Sequence, residues 1–190
     1  MSIFIHPTSI IDEGCIIGDG VRIWHFTHLM QGCCIGNDSV IGQNVFIGSY
    51  VRIGANVHIQ NNVSVYEGVS CEDDVFLGPS VVFTNIKNPR SSISRKGQFV
   101  QTIIRKGATI GANATIICGN EIGAYAFIGA GSVVTKPVKA YSIMTGNPAR
   151  QSGWMSEKGC RLHFDEQGFA LCTETNEQYQ LKNQTVTIIR

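Results

Sequence analysis

Four basic side chains, Lys87, Arg90, Arg95 and Lys96, fall within the polar run of residues 84–98. That density of positive charge suits a ligand carrying two negative charges, and the planar guanidinium of Arg90 can grip a carboxylate with two hydrogen bonds. Lys87 is a second candidate for the same anion. Near the start of the run stands Asn85, whose amide donates and accepts hydrogen bonds but does not titrate near neutrality. It can orient a reacting group or donate to a developing oxyanion, but it cannot serve as a general base. Glu67 is a candidate base or a partner for a hydroxyl. Five histidines, His6, His25, His28, His58 and His163, are the further side chains of a type used as a base. His25 and His28 lie in the segment 23–28, which reads IWHFTH and also holds Trp24 and Phe26.

These residues are carried by a repeat. From Ile5, every sixth residue is apolar as far as Phe83, and the register resumes at Ile104 and continues to Val134. At 43% hydrophobic content, fourteen consecutive matches in one register have a chance probability of ~10⁻⁵. Four residues beyond each apolar position the side chain is small or β-branched, as in Thr27, Cys33, Val45, Val63, Ala108 and Ser132. Glycine often follows the apolar residue, as at Gly18, Gly36, Gly54, Gly111 and Gly129, which suits a tight corner needing positive φ or close backbone approach. The expectation is an all-β fold, a parallel β-helix whose short strands stack coil on coil. The period breaks once. Uninterrupted spacing would put an apolar residue at position 89, so fifteen extra residues leave the helix in a loop over about residues 84–103.

Composition narrows the alternatives. Charged residues make up 15% of the 190, against a usual ~25%. The net charge is +1 and there is no basic run, so neither nucleic acid nor an anionic membrane is an expected partner. No stretch has the length of a membrane span and the N-terminus lacks the pattern of a signal peptide, so a cytoplasmic location is expected. Of the seven cysteines, Cys15, Cys33 and Cys71 fall on inward positions, where a free thiol behaves as a small hydrophobe.

Three segments extend this reading. Residues 106–116 (KGATIGANATI), 128–136 (IGAGSVVTK) and 146–150 (GNPAR) resemble the acetyl-CoA-binding segment of the left-handed β-helix acyltransferases of the hexapeptide-repeat superfamily. Segments 23–28 and 83–91 (FTNIKNPRS) resemble the bacterial N-acetyltransferases that acetylate the 3-amino group of UDP-2-acetamido-3-amino-2,3-dideoxy-glucuronic acid for lipopolysaccharide O-antigen. The resemblance covers about residues 1–150. It implies a homotrimer with active sites between subunits and acetyl-CoA as co-substrate. The left hand of the helix comes from the family alone, since parallel crossovers are otherwise right-handed.

In such a fold each triangular coil has eighteen residues, so Glu67 lies one coil below Asn85 at the root of the loop, with Ser49 and Gln31 below it and Cys118 above. The resemblance assigns Asn85 to orienting the amine, with Glu67 a possible base and Gln31 on the substrate side. It implies that Arg90 holds the uronate carboxylate, assisted by Lys87. His25 and His28 suit uridine or sugar binding across a subunit boundary, or packing at the trimer interface. By motif position, Gly111, Ala112, Gly129, Ala130 and Gly131 admit pantetheine, Lys136 and Arg150 suit the CoA phosphates, and Pro148 lies near adenine.

Residues 151–190 are expected to form a separate small β extension, with a strand over 186–189 and a turn at Gly168. It resembles a degenerate zinc ribbon, beginning at Gly153-Trp154. Only Cys160 and Cys172 follow, with His163 between them, too few for paired zinc ligands. Rival readings are another nucleotide-linked amino sugar as acceptor, or a non-catalytic β-helix scaffold. A γ-type carbonic anhydrase is disfavoured, because the His25/His28 pair with a lone His58 does not match its three-histidine metal pattern.

Overall fold

The computed structural model describes residues 2–189. An apolar residue at every sixth position gives strands of only two residues, each followed by a turn, and these stack into three parallel sheets. The first sheet runs from Phe4–Ile5 through Arg22–Ile23, Val40–Ile41, His58–Ile59, Phe76–Leu77, Thr109–Ile110 and Phe127–Ile128 to Ser142–Thr145. The second climbs from Ile10–Ile11 to Val133–Val134, and the third from Ile16–Ile17 to Glu121–Ile122. Phe4 pairs with Arg22 and His58 with Phe76, a step of eighteen residues. Phe76 pairs with Thr109 and Cys71 with Ile104, a step of thirty-three, so fifteen residues are looped out without disturbing the register. The chain re-enters the third sheet at Thr102, which pairs with Val69. The excursion is therefore 84–101, two residues shorter than expected, because the returning strand starts ahead of its periodic residue Ile104.

From Ile23 to Val134 the periodic residues are buried, and so are their small partners four residues on. Thr27 and Ser39 occupy inward positions by donating their hydroxyls to the carbonyls of Gly42 and Gly54, at 2.8 and 2.9 Å. Burial pushes the Cys33 and Cys71 thiols up to about 12, which keeps them protonated as small apolar groups. In the first coil Ile5 is 39% exposed.

The corner glycines serve only one of the two purposes expected of them. Positive φ falls two residues later, at Asp38 (59°), Asn44 (58°), Asn56 (53°) and Asn113 (56°). The glycines meet the next coil instead. A Cβ on Gly36 would stand 2.4 Å from the carbonyl carbon of Gly54, and one on Gly111 would stand 2.5 Å from the amide nitrogen of Ala130. Asparagine ladders run beside them, with Asn44 Nδ2 donating to Asn62 Oδ1 at 3.0 Å and Asn56 Nδ2 to Asp74 Oδ1 at 2.8 Å.

Past residue 149 the first sheet continues, with Arg150–Met155 pairing antiparallel to Ser142–Thr145 and Arg161–Leu162 adding beyond it. A three-stranded antiparallel sheet of Phe169–Leu171, Gln178–Lys182 and Thr185–Ile189 follows, with Gly168 at φ +82° in the turn before it. This region buries its own cluster of Leu162, Ala170, Cys172, Tyr179 and Val186. Cys172 Sγ donates to Ser156 Oγ at 3.4 Å. Tyr141 joins the region to the helix by stacking on Tyr125 at 5.4 Å and donating its hydroxyl to Glu157 at 3.0 Å. No helix among the described residues is long and apolar enough to cross a membrane.

The close approach at the corners yields a direct prediction. Gly36→Ala is expected to cost about 1–3 kcal/mol through overpacking against the coil above, read as a lowered midpoint in urea.

Candidate functional site

The loop leaves the helix where the second sheet turns toward the third. Strand Val82–Phe83 ends in Thr84, whose amide donates to Ile116 O at 3.1 Å and whose hydroxyl accepts from the Cys118 amide at 2.9 Å. Asn85 Nδ2 donates to the Glu67 carbonyl at 3.3 Å, and Asn85 O accepts from the Val100 amide at 2.9 Å. Asn85, Glu67 and Cys118 thus share one corner, as the eighteen-residue step requires. Gln31 lies two coils below Glu67 and donates to the Tyr50 hydroxyl at 3.1 Å.

Within the loop the basic residues divide. Lys87 folds back across the coil above, so that a Cβ on Gly119 would lie 3.5 Å from its Cε. With Asn88, Arg95 and Gln98 it lines a cleft of about 200 Å³. Arg95 Nη1 donates to Gln98 Oε1 at 3.3 Å, while Arg95 Nε is buried with no partner among the described residues. An orphaned buried guanidinium donor is costly unless an acceptor reaches it, which marks Arg95 more strongly than sequence reasoning did. Arg90 sits at the exposed tip, in a turn closed by a bridge to Ile93, and its Nη1 returns to Pro89 O at 3.0 Å.

The chain's return from the loop is clamped. Arg105 donates to Glu72 at 2.7 Å in the coil below and to Glu121 at 2.8 Å in the coil above. The guanidinium holds both carboxyls below their ordinary value.

The other candidates lie on the opposite edge of the second sheet, where the first sheet turns into it. Gly111, Ala112, Gly129, Ala130 and Gly131 stack there in consecutive coils, with Gly111 N donating to Ile128 O and Gly131 N to Ala112 O, each at 2.8 Å. The segment carrying Pro148 closes over the same rows, because Gly146 N donates to Ser132 Oγ at 3.1 Å and Ala149 N to Val133 O at 2.8 Å. Arg150 follows it, exposed, with Nη1 on Ala149 O. Lys136 lies past the last strand of the second sheet, away from these rows. Lower on this edge His25 stacks on His6 at 3.5 Å, and Trp24 meets Phe4 at 5.4 Å. Burial and the neighbouring His25 lower the His6 pKa. His28 points outward from the second sheet, its Nε2 3.1 Å from Asp12 Oδ1 and its ring against Phe46.

Triangular coils of six-residue sides, a polar loop at one edge and a small-residue row at another define a hexapeptide-repeat acyltransferase scaffold. A family model described as the GMPPB C-terminal domain matches residues 1–99, and one described as the hexapeptide repeat of succinyl-transferase matches residues 101–136. The dTDP-3-amino-3,6-dideoxy-alpha-D-galactopyranose 3-N-acetyltransferase of Aneurinibacillus thermoaerophilus is 46% identical over 170 residues, covering 89% of this chain and 88% of that protein. The chain belongs to the hexapeptide-repeat acetyltransferases, in the family of that enzyme, and is an acetyl-CoA-dependent acetyltransferase. Among solved structures, galactoside acetyltransferase in complex with coenzyme A is 26% identical with a TM-score of 0.53, over 60% of this chain and 61% of that one. A variant of AntD, an N-acyltransferase from Bacillus cereus in complex with dTDP and coenzyme A, shares the fold at 23% identity and a TM-score of 0.50, over 81% of each chain.

The clamp on the loop's return predicts a pH dependence. Glu72 and Glu121 are depressed in the folded state, so their contribution is present above the ordinary value of 4.5 and is lost as pH falls through the folded values. Arg105→Met is expected to flatten the stability profile below pH 4.5, read by urea denaturation at stepped pH.

Proposed function

We propose that this protein transfers acetyl from acetyl-CoA to the 3-amino group of a nucleoside-diphosphate-linked 3-amino sugar. The observation that carries this reading is the 46% identity with a dTDP-3-amino-sugar 3-N-acetyltransferase, extending over the loop root and the small-residue row alike. That relative favours a 3-amino-3,6-dideoxyhexose as acceptor. A second reading keeps the 3-amino-glucuronate linked to UDP, with product destined for O-antigen; it is favoured by Arg90, whose exposed guanidinium at the loop tip suits a carboxylate. Both readings belong in the cytoplasm, where acetyl-CoA and sugar nucleotides are available.

The neutral amine attacks the thioester carbonyl carbon, a C–N bond forms, and the C–S bond breaks as the tetrahedral intermediate collapses. With Asn85 Nδ2 engaged by Glu67 O, Asn85 Oδ1 accepts an N–H of the amine and aims its lone pair. The amine's proton passes to the departing CoA thiolate directly or through water, and Glu67 is the alternative acceptor. Lys87 and Arg95 meet phosphate oxygens, the buried Arg95 Nε supplying a donor that has no partner among the described residues. Gly111, Ala112, Gly129, Ala130 and Gly131 receive pantetheine, with Pro148 and Arg150 beside its nucleotide end.

These two halves lie on different edges of the prism, one face apart, about 15–20 Å for six extended residues. A single chain does not bring them together, so the complete site takes the loop root of one subunit and the small-residue row of the next, as a homotrimer provides. The second sheet lies between these edges. Its outward residues Ile10, His28, Phe46, Ser64, Val82, Thr115 and Val133 include no lysine, arginine, aspartate or glutamate, whereas the other sheets carry Arg22, Arg52 and Glu121 outward.

Thiol release from acetyl-CoA, measured against UDP-3-amino-glucuronate, dTDP-3-amino-3,6-dideoxyhexoses, UDP-3-amino-glucose and simple amines, tests the reading. Turnover confined to 3-amino sugar nucleotides is expected. Silence across the panel, with no thermal shift from acetyl-CoA, would instead indicate a scaffold. Asn85→Ala is expected to lose about 10²-fold in kcat at unchanged acetyl-CoA KM; full kcat would remove Asn85 from the mechanism.

A further inference from the structure

Asn85 is held from two sides. Its side-chain Nδ2 donates to Glu67 O in the coil below, and its main-chain carbonyl accepts from the Val100 amide at 2.9 Å. The first contact belongs to the helix. The second belongs to the loop, because Val100 lies in the returning chain. The direction of Asn85 Oδ1 is therefore fixed only where Val100 is fixed.

Two glycines frame that return. Gly68 and Gly119 occupy the corner position of Gln101 in the coils below and above it. Thr102 N donates to Gly68 O at 2.9 Å, and Gly119 N to Gln101 O at 3.1 Å. Their φ angles are +95° and +86°, a conformation glycine adopts without steric cost. The room left by their missing side chains is occupied by Val100. A Cβ on Gly68 would make an ordinary contact, 3.4 Å from Val100 O, whereas one on Gly119 would stand 3.1 Å from Val100 Cγ1. The isopropyl group thus sits against Gly119 so closely that one further methyl group would displace it.

The same seat serves Lys87. Its Cε and Nζ lie 3.5 and 3.7 Å from that Cβ position on Gly119. Val100 also lines the cleft of about 200 Å³ that holds Lys87 and Arg95. One residue therefore touches the asparagine that orients the amine and lines the cleft whose cations face the diphosphate. A loop anchored elsewhere would let these two parts drift against each other.

We infer that Val100, seated against Gly119, is a positioning residue of the acceptor site. It sets the spacing between Asn85 and the cleft of Lys87 and Arg95, and so decides which amine of a sugar nucleotide, measured from its diphosphate, reaches the thioester. The inference rests on the nucleotide-sugar reading above and adds the element that selects the 3-position.

Intrusion and relief at the seat test it. Gly119→Ala is expected to lower kcat/KM for a 3-amino sugar nucleotide about 10²-fold, the scale of a small misplacement of reacting groups, with acetyl-CoA KM unchanged. Val100→Ala is expected to narrow the preference for a 3-amino over a 4-amino sugar nucleotide by about tenfold. In the double variant the alanine methyl enters space the valine has vacated, and kcat/KM is expected to recover about tenfold over Gly119→Ala. Amide hydrogen exchange over residues 84–101 should quicken in Gly119→Ala and slow again in the double variant. A Gly119→Ala loss that Val100→Ala leaves uncorrected is backbone strain alone and overturns the inference. So does a Val100→Ala enzyme with native 3-amino preference at a native melting temperature. If wild-type protein acetylates no sugar nucleotide, the transferase reading falls and exchange alone decides the seat: quickening that the double variant reverses supports it, and equal exchange in all three proteins overturns it.

Discussion

Every feature of this molecule depends on one coil lying directly upon the next at the spacing of a parallel ladder, about 4.8 Å. That distance decides what each corner can hold. At Gly36, Gly54 and Gly111 the backbone above comes so near that no side chain fits. Two residues later the chain turns through the left-handed region, which Asn and Asp tolerate because their short side chains satisfy nearby backbone or one another. The core is the same constraint seen from inside: a large aliphatic residue and a small one per side fill a narrow prism, and polar residues such as Thr27 and Ser39 enter only where a carbonyl accepts their hydroxyl.

The same spacing turns sequence separation into distance. Residues at multiples of eighteen form rows, and rows on different edges are held apart by the width of a face. Chemistry is therefore arranged in columns, with the loop root on one edge and the small-residue row on the next. The loop root and the small-residue row are therefore close in height but separated in plan by a distance that no side chain spans.

What could be read in the sequence follows from this rigidity. The proximity of Asn85 and Glu67 was legible because counting by eighteen is enough where register does not slip. The purpose of the corner glycines was only half legible, because positive φ and close approach leave the same residue in the sequence. Inside the loop the counting stops, so Arg90 and Arg95 read alike as basic residues. Only the structure separates an exposed tip from a buried Nε without a partner among the described residues. Lys136 was assigned to the CoA phosphates by motif position alone, and counting places it past the end of Val133–Val134, at a different corner from the small-residue row.

The loop's insertion between two coils that keep their register has an evolutionary consequence. Both ends of the excursion are anchored within one corner, so the cost of lengthening it grows only logarithmically with its length. The pairing of Phe76 with Thr109 is the same kind of rung as that of Phe4 with Arg22. Selection can thus rewrite the excursion, in length and in charge, without renegotiating the scaffold. A lineage of such proteins can diversify its acceptors as a tool changes its bit, while the shank stays the same.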